Sequence, residues 1–121
     1  MAAGRYDFTI EQGATLTRSV TWQDSSGAAI DLTGYTISGK IKRKTSDAQA
    51  VTSLTISITN AALGQFTFSL TASQTATLPV KHGLDGQKEI LECVYDIEAV
   101  TGSTVYRVLE GTCSISPEVN K

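Results

Sequence analysis

The chain has 121 residues, of which 40% are hydrophobic, and a formal net charge of -2. This length fits one domain whose core is large enough to fold without metals or disulfides. The acidic pI of about 5.3 disfavours nucleic-acid binding, which usually needs a basic face. No apolar run approaches the roughly 18 residues of a membrane span, and the N-terminus lacks the apolar core of a signal peptide. We therefore expect a protein that folds in a cytoplasm.

Alternation of apolar and polar residues with period two predicts β-strands along most of the chain. A first strand is predicted over residues 6 to 10 and a second over residues 16 to 22, followed by turn residues at 24 to 27. A third strand is predicted over residues 35 to 43. Residues 44 to 52 have no clear period, so we predict an exposed loop there.

The middle of the chain predicts a hairpin and one short helix. Residues 54 to 58 and 66 to 70 alternate in the same way and flank a turn. Residues 71 to 78 form the predicted helix, because Thr71 or Ser73 can cap it and the following proline stops it.

The last third of the chain predicts a connection followed by a long hairpin. Residues 80 to 88 form the connection, and the strands at 89 to 100 and 104 to 116 flank a turn. About seven or eight strands with one helical turn predict an all-β fold, an immunoglobulin-like antiparallel β-sandwich.

We find no internal repeat and no composition shift that marks a linker. The sequence therefore predicts one domain over residues 6–116. Residues 1–5 are predicted to form a flexible arm and residues 117–121 a tail, and both could become ordered on a neighbouring subunit.

The two cysteines lie on opposite arms of the last predicted hairpin. Cys93 and Cys113 have the same parity as their apolar neighbours, so both are predicted to point inward. A disulfide is sterically allowed if the turn is centred on Gly102 or Ser103. Reduced, buried thiols are the favoured interpretation in a cytoplasmic fold.

Charged residues on two predicted strands are the candidates for contacts with a partner. The positive run can bind phosphate or an acidic neighbour, although lysines also protect sheet edges from unwanted pairing. The carboxylates on the late strand could form a glycosidase-like acid pair, although a solvated sheet face explains them better. The candidates are Lys40, Lys42, Arg43, Lys44, Glu92, Asp96 and Glu98.

Catalytic, metal and cofactor chemistry finds little support in the residues. His82 is the only histidine and lies in loop sequence, so we assign it no role. Neither a Ca²⁺ loop nor a phosphate-binding glycine motif occurs. Trp22 shares the parity of core residues, which favours the core over an interface. The sequence predicts a protein without a cofactor and without enzymatic activity.

Several phrases of the sequence recur in a familiar order and spacing. The first is Tyr6-Asp7-Phe8-Thr9-Ile10-Glu11-Gln12-Gly13-Ala14-Thr15, and the others are Trp22-Gln23-Asp24, Ile30 to Thr36, Leu70 to Pro79, Val94 to Glu98, Arg107 to Thr112 and Ser116 to Val119. Together they resemble small virion structural proteins of tailed bacteriophages. The resemblance covers most of the chain, but not residues 44 to 52 and 80 to 88 or the two cysteines.

The resemblance implies an immunoglobulin-like or baseplate-upper-protein-like sandwich in the virion, attached to the tail, its baseplate or its fibres. Its partners would be other virion proteins and further copies of itself, with no nucleic acid, membrane or small-molecule substrate. A head decoration protein is the alternative. A carbohydrate-binding sandwich ranks third, because Tyr6, Phe8, Phe66 and Phe68 alternate as core residues and leave no aromatic platform.

Overall fold

The computed structural model describes residues 4–44, 50–79, 81–82 and 88–118. Parts of the loop and connection predicted at 44–52 and 80–88 lie outside these residues, as does the side chain of His82. The elements are β1 (Gly4–Arg5), β2 (Phe8–Glu11), β3 (Leu16–Thr21), β4 (Thr36–Lys42), β5 (Thr52–Asn60), a 3-10 turn (Ala61–Leu63), β6 (Gln65–Leu70), α1 (Ala72–Ala76), β7 (Lys81–His82), β8 (Lys88–Glu89), β9 (Leu91–Thr101) and β10 (Thr104–Ser116).

Eight of the described strands form one hydrogen-bonded path that folds into two layers. The order is β1, β10, β9, β4, β5, β6, β3, and β2 also pairs with β10. Strand β5 joins the layers, because residues 52–54 pair with β4 and residues 55–60 pair with β6. The first layer therefore holds β1, β2, β10, β9 and β4, and the second holds β6 and β3. This arrangement confirms the predicted immunoglobulin-like β-sandwich.

The N-terminal strands differ from the prediction in two ways. Strands β1 and β2 run parallel to β10, with Arg5 opposite Glu110 and Phe8 opposite Cys113. Gly4 and Arg5 thus belong to the sheet, whereas the sequence predicted a flexible arm over residues 1–5. The reason is that β10 has an open side along its whole length, and the N-terminal segment satisfies its backbone groups there.

The predicted helix and its cap are confirmed. The Thr71 hydroxyl accepts the backbone N–H of Gln74 at 3.2 Å, and the Gln74 side chain accepts the backbone N–H of Thr71 at 2.8 Å. This capping box fixes the one-turn helix α1 against the β2–β3 corner. There the Thr75 hydroxyl accepts the N–H of Gly13 and donates to the Ala14 carbonyl.

Inward side chains of both layers form one core. Phe8, Phe68 and Tyr95 meet at its centre, with ring centroids 4.8 to 6.2 Å apart. Trp22 is buried against the rings of Tyr35 and Tyr106, as the parity predicted. These contacts connect β2, β6 and β9, so the core joins the two layers.

Tyr6 does not belong to this core, although its parity predicted so. Its side chain is 40% exposed, and its hydroxyl accepts a hydrogen bond from Arg18 at 3.2 Å. The reason is the break between β1 and β2, which interrupts the alternation at this residue.

Cys93 and Cys113 lie directly opposite each other in the β9–β10 hairpin. Both thiols are free and buried. Burial, with a smaller contribution from Cys93, raises the pKa of Cys113 from 9.0 to about 12. Since the neutral thiol is strongly favoured in this position, Cys113 acts as a small apolar side chain.

The raised pKa of Cys113 predicts a loss of stability in alkali. Between pH 9 and 10 the thiol ionises in the unfolded chain but stays protonated in the folded protein, so the free energy of unfolding falls as pH rises. Below pH 9 both states hold the proton, and this contribution is constant. Urea denaturation of the reduced protein at stepped pH measures the slope, which Cys113→Ala should make shallower. An unchanged slope in the variant would contradict the assignment.

Candidate functional site

The outer surface of the first layer carries a groove of about 540 Å³. Its lining is dominated by charged side chains from β1, β4, β9 and β10. We call these seven residues the charged face: Arg5, Lys40, Lys42, Asp96, Glu98, Arg107 and Glu110.

Strand register sets four of these charges in one row across the sheet. Lys40 lies opposite Asp96, Asp96 lies opposite Glu110, and Glu110 lies opposite Arg5. The row therefore reads cation, anion, anion, cation across four strands. Opposite charges on neighbouring strands attract each other, whereas the central pair of carboxylates repels.

Arg107 offsets the repulsion between the two central carboxylates. Its Nε lies 3.7 Å from Oδ2 of Asp96, and its Nη1 lies 3.4 Å from Oε2 of Glu110. In register, Arg107 also lies opposite Glu98. All these side chains remain accessible to water, so each pair contributes only about 0–1 kcal/mol to stability. The charges are therefore available for recognition at little cost to the fold.

A β-bulge brings Arg107 and Glu110 to the same side of the sheet. The register with β9 shifts between Arg107 and Leu109, which leaves Val108 as an extra residue. Strict alternation would place residues 107 and 110 on opposite faces. The bulge reverses the parity once, so both side chains reach the charged face.

Two hydrogen bonds hold the N-terminal segment, and with it Arg5, at the rim of the charged face. Oδ1 of Asp7 accepts the backbone N–H of Thr112 at 2.9 Å, and this bond lowers the pKa of Asp7. The buried hydroxyl of Tyr95 donates to the Tyr6 carbonyl. Arg5 also forms an ion pair with Asp7 at 3.3 Å.

The structure brings together four of the seven predicted contact residues. Lys40, Lys42, Asp96 and Glu98 all line the groove. The other three do not line it. Arg43 and Lys44 are exposed just beyond the end of β4, and Glu92 is exposed opposite Ser114.

The interpretation that the lysines protect a sheet edge from unwanted pairing is wrong for Lys40 and Lys42. Strand β4 lies between β9 and β5, so it is an inner strand of the path. Lys40 lies opposite Asp96 of β9 instead, and Lys42 lies opposite Val94.

Sequence reasoning missed Arg5, Arg107 and Glu110 as members of the charged face. Arg5 lay in the predicted arm, and the bulge hid the common side of the other two. The available signal for Arg107 and Glu110 was the phrase from Arg107 to Thr112, which contains them and carries part of the resemblance.

The described residues contain no cluster of three or more His, Cys, Asp or Glu that could hold a metal ion. In the same part of the chain, no helix has the length and apolar character that crossing a membrane requires. Comparison with protein-family models finds no match for this chain, and comparison with curated protein sequences finds none either.

Proposed function

We propose that this chain is a non-enzymatic structural protein of a tailed-phage particle, located in the tail, the baseplate or the attachment of the fibres. It acts by packing its charged face against another virion protein. The observation that carries this proposal is the charged face itself, in which four strands present seven charges of both signs. Such a pattern suits recognition of one partner in one orientation.

The contacts between the resembling phrases support the phage assignment. Phrases far apart in the sequence pack against each other, as expected if together they describe one fold. The opening phrase meets the closing one where Glu11 of β2 lies opposite Ser116 of β10. The Gln12 side chain donates to the carbonyls of Ala76 and Leu78 in the helical phrase and accepts the N–H of Glu118 at 2.9 Å.

The rigidity of the charged face supports docking over catalysis. Its side chains stand on strands whose backbones are fixed by pairing with neighbouring strands. A partner that binds there has to order side-chain rotamers but no loop, which limits the entropy cost of binding. A partner whose charges follow the opposite order would therefore match both the sign and the position of each charge.

The location in the particle can be tested directly. Particles of a phage that encodes this chain are purified and separated into heads and tails, and both fractions are analysed by mass spectrometry and electron microscopy. We expect the chain in the tail fraction, with density at the tail, baseplate or fibre attachment. Density on the capsid lattice alone would favour the head decoration alternative, and absence from both fractions would reject a virion role.

Charge reversal at Lys40 tests the docking surface. Lys40→Glu places a third carboxylate beside Asp96 and Glu110, so we expect incorporation into particles to fall about tenfold, which corresponds to about 1.4 kcal/mol. The control is Ser57→Glu, which adds a negative charge to an exposed position in the second layer. Quantitative mass spectrometry of complemented particles gives the ratio. Equal incorporation of both variants and the parent would contradict docking through the charged face.

A further inference from the structure

Strand β3 forms an open edge of the second layer. Within the described part of the chain it pairs with β6 alone. Its six residues match β6 one to one, from Leu16 opposite Leu70 to Thr21 opposite Gln65, without a bulge. The strand contains neither proline nor lysine. A straight edge without these protective features is a template for another strand.

The hydrogen-bond pattern identifies the backbone groups on the open side. Trp22 donates its N–H to the Gly64 carbonyl at 2.8 Å and so continues the pairing with β6. Alternate residues of an antiparallel strand bond to the same neighbour, so the even-numbered residues of β3 bond to β6. Thr17, Ser19 and Thr21 therefore direct their backbone groups to the open side.

A groove of about 500 Å³ runs beside this edge, between β2 and β3. The Arg18 side chain covers part of it, because its Nη1 donates to the Thr17 carbonyl at 2.9 Å and its Nε donates to the Tyr6 hydroxyl. The guanidinium thus occupies the Thr17 carbonyl, which would accept a backbone N–H from an added strand. Both bonds lie at the surface, so they can be exchanged for strand pairing.

We propose that this edge pairs with the same edge of a second copy of the chain, antiparallel and about a two-fold axis at Ser19. Thr17 then lies opposite Thr21 of the second copy, and Ser19 lies opposite its own counterpart. All three open residues meet open residues, which satisfies their backbone groups. Such an interface is isologous and closes at the dimer.

Side chains favour a second copy over an unrelated strand. Thr17, Ser19 and Thr21 are exposed, neutral and small, and Thr–Thr pairs across strands are favourable. Arg18, the one charged residue of β3, lies opposite Val20 of the second copy in this register, and the two Arg18 side chains are diagonal neighbours rather than directly opposite. The edge is therefore self-complementary in its backbone groups. This interface is separate from the charged face and does not depend on a role in the virion.

The oligomeric state of the purified full chain tests the proposal. Analytical ultracentrifugation over a wide concentration range should show a species of twice 12.8 kDa that dissociates on dilution. Ser19→Lys sets two ammonium groups opposite each other and should return the mass to 12.8 kDa at all concentrations. The control Ser38→Lys adds the same charge to an exposed position of β4 and should leave the dimer intact.

A cross-link gives a second test that does not depend on the lysine variant. At the two-fold axis, Ser19→Cys brings two new thiols together, so mild oxidation should give a covalent dimer that reductant cleaves, whereas Ser38→Cys should form no cross-link. Arg18→Ala should strengthen association, because it frees the Thr17 carbonyl. A parent that is monomeric throughout would overturn the proposal, as would a dimer that survives Ser19→Lys or equal cross-linking of both cysteine variants.

Discussion

Gly111→Ala is expected to lower the free energy of unfolding by about 3 kcal/mol and to detach β1 from β10. At Gly111 the Tyr6–Asp7 segment crosses close to β10. A Cβ atom at this position would collide with the Tyr6 carbonyl oxygen and would lie 2.7 Å from Oδ1 of Asp7. Because the obstacle is backbone, a side-chain rotation cannot relieve the clash.

The loss follows from three contacts that share this crossing. Displacing Tyr6 breaks the bond from the buried Tyr95 hydroxyl, which then lacks an acceptor. Displacing Asp7 frees the N–H of Thr112 and withdraws Arg5 from the charged face. An unsatisfied buried donor costs about 1–3 kcal/mol, and overpacking costs a similar amount.

Thermal and urea unfolding measure this effect, with a decrease in Tm of roughly 10–20 °C. Gly4→Ala is the matched control, since its new Cβ meets its nearest neighbour, in Leu109, at an ordinary distance of 3.4 Å. Amide exchange should show lost protection at Thr112 in the Gly111 variant alone. A change in the free energy of unfolding below about 1 kcal/mol would show that the crossing can move without cost. Equal changes in both variants would show that the loss does not come from the crossing.

The layers of the sandwich could be predicted because most strands have one apolar face. The alternation placed β3, β4, β5 and β6 within one or two residues of their observed bounds. It also predicted the closing hairpin and placed Cys93 opposite or diagonal to Cys113, and the structure shows the two directly opposite. The capping residues and Pro79 predicted the helical turn for local reasons that need no tertiary contact.

Pairing over long distances could not be read from the same pattern. Alternation assigns a face to each side chain but does not say which strand lies beside which, or in which direction. The parallel pairing of Arg5 with Glu110 joins residues from the two ends of the chain, and only the fold brings them together. The contact between Lys40 and Asp96 likewise depends on the pairing of β4 with β9.

Two of the seven residues of the charged face, Arg107 and Glu110, share one side of the sheet only because of an irregularity that breaks the alternation. Val108 adds one residue to β10, which moves Glu110 to the side of Arg107. A bulge of this kind leaves little trace in the local sequence, because valine is common in regular strands as well. The four members that the sequence also named as candidates, such as Lys40 and Asp96, lie on regular stretches of β4 and β9.

Phe68→Ala is expected to lower the free energy of unfolding by about 3–5 kcal/mol. Phe68 is fully buried on β6, and its ring centroid lies 5.3 Å from that of Phe8 and 6.2 Å from that of Tyr95. Its removal opens a cavity between the two layers, directly beneath the strands that carry the charged face.

Phe68→Leu is the graded control for this prediction, because it keeps most of the apolar volume and should cost about 1.5 kcal/mol. Urea unfolding of both variants at neutral pH gives the two free energies. Since Phe68 is remote from the charges themselves, incorporation of the leucine variant into particles should follow its stability, whereas Lys40→Glu should fail with a loss of stability of no more than about 1 kcal/mol. If both core variants were as stable as the parent, the packing of the two layers would not depend on this ring. Backbone pairing alone would then support the charged face.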